Sequence, residues 1–372
     1  LRSSAPGRIE LLGNHIDYNG GPVLAAAIDR RAVVVADMRI ESPVEILFAD
    51  TGDHVSIDPE ALGEWRNVSG DQTSSDYARG VVAALDARQR PLRRGRFVLA
   101  SDVPIGIGVS SSAAICVALS QALSVDDLRA RDLVLIAQEA EHRAGTPCGT
   151  MDQSASVAGG VIRFDGASLE YETLDPRLGD VAFLVIDSGV HRALSESSYP
   201  VRVDECRRAR AWLTEVLGHP VGHLASVSPA IISGLPEDGA ETSVLHRRIR
   251  HVVSETRRVE AGSAAVAASD WATFGRLMTE SGRSSAGDYE ISHPVVESIL
   301  ERLLGLPEVL GARMMGGGEG GSLIAIVRNG SDPSVRERIL QSANSDVAGG
   351  APPRQVFAFS FAAGAAVGPL TQ

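Results

Sequence analysis

Cysteine is scarce in this 372-residue chain: three in all, Cys116, Cys148 and Cys206, and no two of them form a CxxC pair. That scarcity excludes a disulfide framework and argues against a zinc site, and it points to a reducing, cytoplasmic home. Long apolar runs are missing too. None reaches the roughly eighteen residues of a membrane span, and no charged-then-apolar start marks a secretory signal. The first motif begins within a few residues of Leu1, which leaves room for a further N-terminal segment. Positive charge is outnumbered: 35 Lys and Arg against 47 Asp and Glu give a net charge of −12, the wrong sign for gripping a nucleic-acid backbone. The one basic run, HRRIRHVVSETRR from His246, carries Ile249, Val253 and Val259 near helical spacing and reads as a helix with a solvated arginine face. Internal repeats and low-complexity linkers are absent.

What remains is an ordinary globular composition. With 44% hydrophobic residues the chain can bury a sizeable core, and its length suits two domains or two lobes. In the first half, PVLAAAI and RAVVVADM read as successive strands, SSDYARGVVAALDA as a helix and RFVLASDV as another strand. A helix spaced by Ile115, Leu119 and Leu123 follows, then a second, DLVLIAQEAEHRA, ending near Gly145. VAFLVIDSG reads as a buried strand crossing into a more helical second half. That half contains VDECRRARAWLTEVLG, the basic helix and DWATFGRLMTESGR, and closes with the strands SLIAIVR and QVFAFSF. The class expected is α+β in two packed lobes, residues 1–180 and 181–372.

Three stretches carry chemistry. PIGIGVSSSAA, from Pro104, sits at a strand-to-helix turn. Gly106 and Gly108 let backbone N–H groups converge on an anion, the helix adds its positive end, and serine hydroxyls suit phosphate or Mg²⁺. A plain turn with a serine N-cap explains the stretch equally well. It is neither a GxxxxGK[ST] loop nor a GxGxxG loop, since Ser111 stands where the third glycine belongs. APGRIELLGNHIDYNGG gathers Arg8, Asn14, His15, Asp17 and Asn19 in what reads as a loop, a set suited to a polyol. CGTMDQSAS offers Asp152, either a structural ion-pair partner or a base for a hydroxyl proton.

Together these stretches resemble the galactokinase family of the GHMP kinases. GRIELLGNHIDYNGG is similar to the galactokinase signature, PIGIGVSSSAA to the ATP loop and CGTMDQ to the catalytic segment. RMMGGGEGG, from Arg313, is similar to the third glycine motif, and SSYPVRVDEC, from Ser197, to a substrate-side segment. The matches keep the family order from residue 5 to about 327. The resemblance implies an N-terminal lobe with a ribosomal-protein-like βαβ arrangement, a C-terminal ferredoxin-like lobe, and ATP and sugar meeting between them. The implied reaction moves the ATP γ-phosphoryl group to the anomeric hydroxyl of a hexose, galactose first. Asp152 falls on the catalytic aspartate and Arg8 on the arginine beside it. Ser111 and Glu141 fall on the Mg²⁺ ligands, and Gly106, Gly108, Ser110 and Ser112 complete the phosphate cradle. Asn14, His15, Asp17, the Gly149 backbone and Tyr199 fall on the sugar side. The implied partners are the sugar and ATP, with neither nucleic acid nor membrane, for a monomer or a homodimer.

The chain departs from the family in four places. Asn14 stands where galactokinases usually carry glutamate, which opens a second substrate reading: a uronic acid such as galacturonate, or a pentose. Cys116 replaces a common glutamate. The interval from Glu141 to Asp152 is one residue short. Met315, Gly317 and Glu319 replace the usual Thr, Ala and Phe, so altered packing is expected there. A reading of a different class, a sugar sensor that binds both ligands and transfers nothing, conflicts with the intact Ser112-Ala113 step.

Overall fold

The structure, a computed structural model, describes residues 1–37, 43–67, 72–146, 148–190, 198–236, 239–330, 332–347 and 352–370. Met38 and Ser197, the ends of two stretches quoted above, lie outside that set.

Twelve described strands form two sheets. In the first, β1 (Arg2–Leu12), β2 (Pro22–Asp37), β3 (Val44–Phe48), β4 (His54–Ile57), β5 (Gly95–Ser101), β6 (Val161–Asp165) and β7 (Tyr171–Leu174) are joined by a late strand from the C-terminus. The second holds β8 (Val181–Asp187), β9 (Val309–Met315), β10 (Ser322–Arg328) and β11 (Val356–Phe359); the late strand of the first sheet is β12 (Ala366–Gly368). The orders are β12-β1-β2-β5-β3-β4, with β6 and β7 branching from β2, and β11-β8-β10-β9. All four strands of the second sheet run antiparallel. Strands and helices mix in both halves, as an α+β class requires.

Two local readings change. PVLAAAI and RAVVVADM are one strand, the sixteen-residue β2. Its first part pairs with β6 and its last part with β5, while β1 runs beside both. The polar Asp29-Arg30 step between the two stretches lies where the outer partner changes, a place where a strand tolerates polar side chains. The basic helix, Ala240–Ala267, does not present a wholly solvated arginine face. Arg248 is 1% exposed and paired with Glu205 at 2.6 Å and Glu290 at 2.7 Å, and His251 is fully buried. Arg250 and Arg257 are exposed, too little for a nucleic-acid surface. A Cβ at Gly262 of this helix would stand 2.8 Å from Leu12 Cδ2, so the helix presses on the first sheet at the end of β1. That contact lies beside the residues described next.

Candidate active site

The N-terminal motif is more ordered than a loop. Residues 2–12 are strand β1, and only Asn14 to Asn19 form the turn, which ends in a short 3₁₀ segment, Asp17–Asn19. Side chains two apart on a strand share a face, so Arg8 and Glu10 point the same way while Ile9 and Leu11 enter the core. Register breaks in the β1–β2 pairing flank this pair, between Pro6 and Arg8 and between Glu10 and Leu12. Such irregularities re-aim side chains next to functional sites. A cavity of about 120 Å³ opens there. Arg8, Glu10, Asn14, His15 and Asp17 form one wall, Cys148, Gly149, Met151 and Asp152 a second, and Tyr199 with Gly316 and Gly317 the rest.

Asp152 lies in the first turn of the Met151–Ala158 helix. Arg8 grips it with two parallel bonds, Nε to Oδ1 at 2.8 Å and a terminal nitrogen to Oδ2 at 2.7 Å. Burial alone would weaken the Arg8 proton, but Asp152 outweighs it and the guanidinium pKa is raised. The third Arg8 nitrogen donates to the Gly108 carbonyl at 2.6 Å, and the Arg8 backbone N–H donates to the Val109 carbonyl at 3.0 Å. Ser110 Oγ donates to Asp152 Oδ2 at 2.5 Å. One hub therefore links strand β1, the Gly/Ser turn and the aspartate.

The turn itself is open. Gly106 and Gly108 have positive φ, at 80° and 73°, and Ser110 is left-handed too, at 57°. A Cβ on Gly106 would touch nothing within 4 Å, and one on Gly108 only Met315 Cε at 3.9 Å. The Ser111–Leu123 helix begins at once, with Ser111 first and Ser112 second. Glu141, on the Ala130–Arg143 helix, accepts from Ser112 Oγ at 2.6 Å on one oxygen and from Gln153 on the other. The shortened connection to Asp152 thus still brings Glu141 to the serines, and the serine it meets is Ser112 rather than Ser111. Burial pushes the Glu141 carboxyl up to about 7, with Ser112 and Gln153 opposing. Cys116, fully buried behind it, has its thiol pushed well up by burial and by the Glu141 charge.

The opposite wall is packed. Burial pushes the Asp17 carboxyl up to about 6, against a hydrogen bond from the Tyr18 backbone and with help from the Glu10 and Asp152 charges. A Cβ at Gly149 would stand 2.7 Å from Asp17 Oδ2, so that position admits only glycine without moving the carboxylate. His15 Nδ1 lies 2.9 Å from the Tyr18 hydroxyl, which lies 2.8 Å from the Tyr289 hydroxyl. Burial, with the His251 charge second, pushes His15 down to about 3, so it is neutral near pH 7. The Tyr199 ring tilts against it with centroids 5.2 Å apart.

Every residue expected on the sugar side reaches the cavity. Two the sequence reading passed over are Glu10, on its wall, and Arg313, fully buried on β9, whose guanidinium meets Glu10 Oε1 at 2.8 Å. Strand alternation from Arg8 identifies the first. Nothing local signals a contact between residues so far apart in the chain.

The galactokinase galactose-binding signature matches residues 2–38, the GHMP kinases N terminal domain residues 76–160, and GHMP kinases C terminal residues 263–346. Fold and site thus define a kinase of the GHMP class. The solved mevalonate kinase, at 15% identity, shares the fold with a TM-score of 0.67, over 97% of this chain and 99% of that one. Galactokinase from Roseiflexus sp. (strain RS-1) is 36% identical over 91% of this chain and 86% of the relative. The Homo sapiens galactokinase is 35% identical over 92% and 87%. The solved Lactococcus lactis galactokinase complexed with galactose superposes with a TM-score of 0.84 at 25% identity, over 98% and 94%. The chain belongs to the galactokinase family, and it is an ATP-dependent sugar kinase. No helix among its described residues is long and apolar enough to cross a membrane.

Proposed function

We propose that this chain transfers the γ-phosphoryl group of ATP to the anomeric hydroxyl of galactose, with Asp152 as the base. The observation that carries this reading is the Arg8–Asp152–Ser110 hub on the cavity wall. Each Asp152 oxygen has two lone-pair sites; Oδ2 spends both on Arg8 and Ser110, while Oδ1, bonded once by Arg8, retains capacity for a hydroxyl proton. General-base help of this kind contributes roughly 10²–10⁴-fold. Arg8 lies where charge develops on the phosphoryl group; positioning supplies much of the rest.

On the phosphate side, the open Gly106–Ser112 turn offers backbone N–H groups and the start of a helix to the ATP phosphates. Glu141, Ser112 and Ser111 present a carboxylate and two hydroxyls, hard oxygen donors that fit Mg²⁺. When bound, the ion would neutralise phosphate charge. On the sugar side, Asp17 and the Gly149 backbone orient hydroxyls, and neutral His15 with Tyr199 supplies an apolar-edged wall. The three cysteines are free, which supports a reducing compartment, the cytoplasm.

The test is ADP release, coupled to an optical readout, across neutral hexoses, pentoses, N-acetyl sugars and uronic acids. Fastest turnover on galactose is expected. Binding of both ligands without ADP release would replace the kinase with a sensor.

A further inference from the structure

The sequence places Asn14 where the family resemblance calls for glutamate, which removes a negative charge from the sugar wall on paper. The structure puts a carboxylate back beside it. Asn14 is 1% exposed and both its amide donors are spent: Nδ2 donates to Glu10 Oε1 at 3.2 Å and to the Gly316 carbonyl at 3.0 Å, and Oδ1 already accepts from Ser285 Oγ at 3.3 Å. Glu10 is different. Its Oε1 is held by Asn14 and by Arg313, while among the described residues nothing hydrogen-bonds Oε2, and Glu10 lines the cavity.

We infer that Glu10 is the specificity-determining carboxylate of the sugar pocket, accepting a hydroxyl other than the reacting one through Oε2 and rejecting sugars that carry a carboxylate. Arg313 does not offset the rejection. Four of its five N–H donors go to Glu10 Oε1 and to the Leu11, Met314 and Glu10 carbonyls, at 2.8, 3.3, 3.0 and 3.0 Å, and the side chain is fully buried and does not line the cavity. A hydroxyl donating to a charged oxygen makes one of the stronger hydrogen bonds a sugar finds. A ligand carboxylate in the same place meets like charge with little water between. Galacturonate is therefore a poor substrate of this chain, although Asn14 alone suggests otherwise. The inference rests on the sugar 1-kinase reading and adds which residue sets the substrate class.

Because Glu10 and Asn14 touch, their chemistries can be exchanged across one hydrogen bond. Three proteins are compared: native, Glu10→Asn, and the double exchange Glu10→Asn/Asn14→Glu. Galactose and galacturonate binding is measured by calorimetry, KM and kcat for both sugars and ATP by ADP release, and folding by thermal melts. Glu10→Asn is expected to weaken galactose binding about ten- to a hundredfold at unchanged ATP KM, the loss of one charge-assisted bond. Its preference for galactose over galacturonate should narrow by at least about tenfold. The double exchange returns the carboxylate to the wall and should recover most of both. If Glu10→Asn does not fold, the double exchange decides: native-like galactose affinity and galacturonate rejection support the inference, and loss of either overturns it. A folded Glu10→Asn that binds galactose as the native chain does also overturns it. So does a native chain that takes galacturonate as readily as galactose, which leaves the 1-kinase reading intact. A native chain that binds galactose without turnover sinks the 1-kinase reading alone, and the calorimetric comparison still decides the role of Glu10.

Discussion

The two sides of the candidate site, the Gly/Ser turn and the cavity, are built by opposite means. The side proposed for phosphate is open and made of backbone: glycines at positive φ over which the nearest atom is Met315 Cε, 3.9 Å from a Cβ on Gly108, and a helix that starts immediately after. The sugar side is closed and made of side chains that hold one another: Asp17 against Gly149, Asn14 between Glu10 and Gly316, His15 against Tyr18. Asp152 stands where they meet and is bonded from both, by Arg8 of β1 and Ser110 of the turn. A backbone wall admits any phosphate of the right size, whereas a side-chain wall chooses its ligand. Damage to one should then appear in the ATP or Mg²⁺ dependence, damage to the other in the sugar dependence, and damage at the junction in turnover.

The junction gives the largest effect. Asp152→Asn keeps the shape of the carboxylate and removes its basicity, so kcat is expected to fall about a hundredfold or more while galactose and ATP still bind. Native-like turnover would remove Asp152 as base, and failure to fold would make its pair with Arg8 structural. On the sugar wall, Gly149→Ala forces a methyl group to 2.7 Å from Asp17 Oδ2. Displacing that carboxylate is expected to cost about ten- to a hundredfold in kcat/KM for galactose with little change in ATP KM. Equal losses for both ligands would mean that the walls are not separable.

The phosphate wall gives a smaller, metal-linked effect. Ser112→Ala is expected to raise the Mg²⁺ concentration for half-maximal rate about tenfold, as loss of a ligand or its support does. Ser111→Ala should raise it less, because only Ser112 meets Glu141. The reverse order would return the ion to Ser111. A pH effect of similar size is expected on the sugar wall. With Asp17 at about 6, most of it is protonated at pH 5, so kcat/KM for galactose should drop about tenfold from pH 7 to pH 5. Stability runs the other way. The folded state holds the Asp17 proton more tightly than the unfolded chain, so this group costs stability as pH rises from about 4 to about 6. Flat kcat/KM over that range would show that Asp17 does not touch the sugar in its charged form.

The same contrast explains what could be read before the structure. The Gly/Ser turn works through its own backbone, so PIGIGVSSS announced it. Asp152 and Arg8 were legible through family resemblance, although the strand under Arg8 was mistaken for a loop because Gly7 and Gly13 bracket it. The charged Asp29-Arg30 step divided β2 on paper because it interrupts the apolar run, until the change of partners at that point is seen. Glu10 was missed although it sits two residues from Arg8 on the same strand face. Its meaning comes from Arg313 and Asn14, and a contact across 303 residues has no local signature. Arg248 was misread for the same reason, since Glu205 and Glu290 decide its burial.

If the two walls align a sugar as proposed, its anomeric hydroxyl, and no other, faces Asp152. Phosphorus NMR of the product formed from galactose and ATP tests that alignment most directly. The expected result is a single sugar phosphate, coupled to the anomeric proton, accumulating in step with ADP. Phosphate on any other hydroxyl, or ADP formed with inorganic phosphate and unaltered galactose, would contradict it.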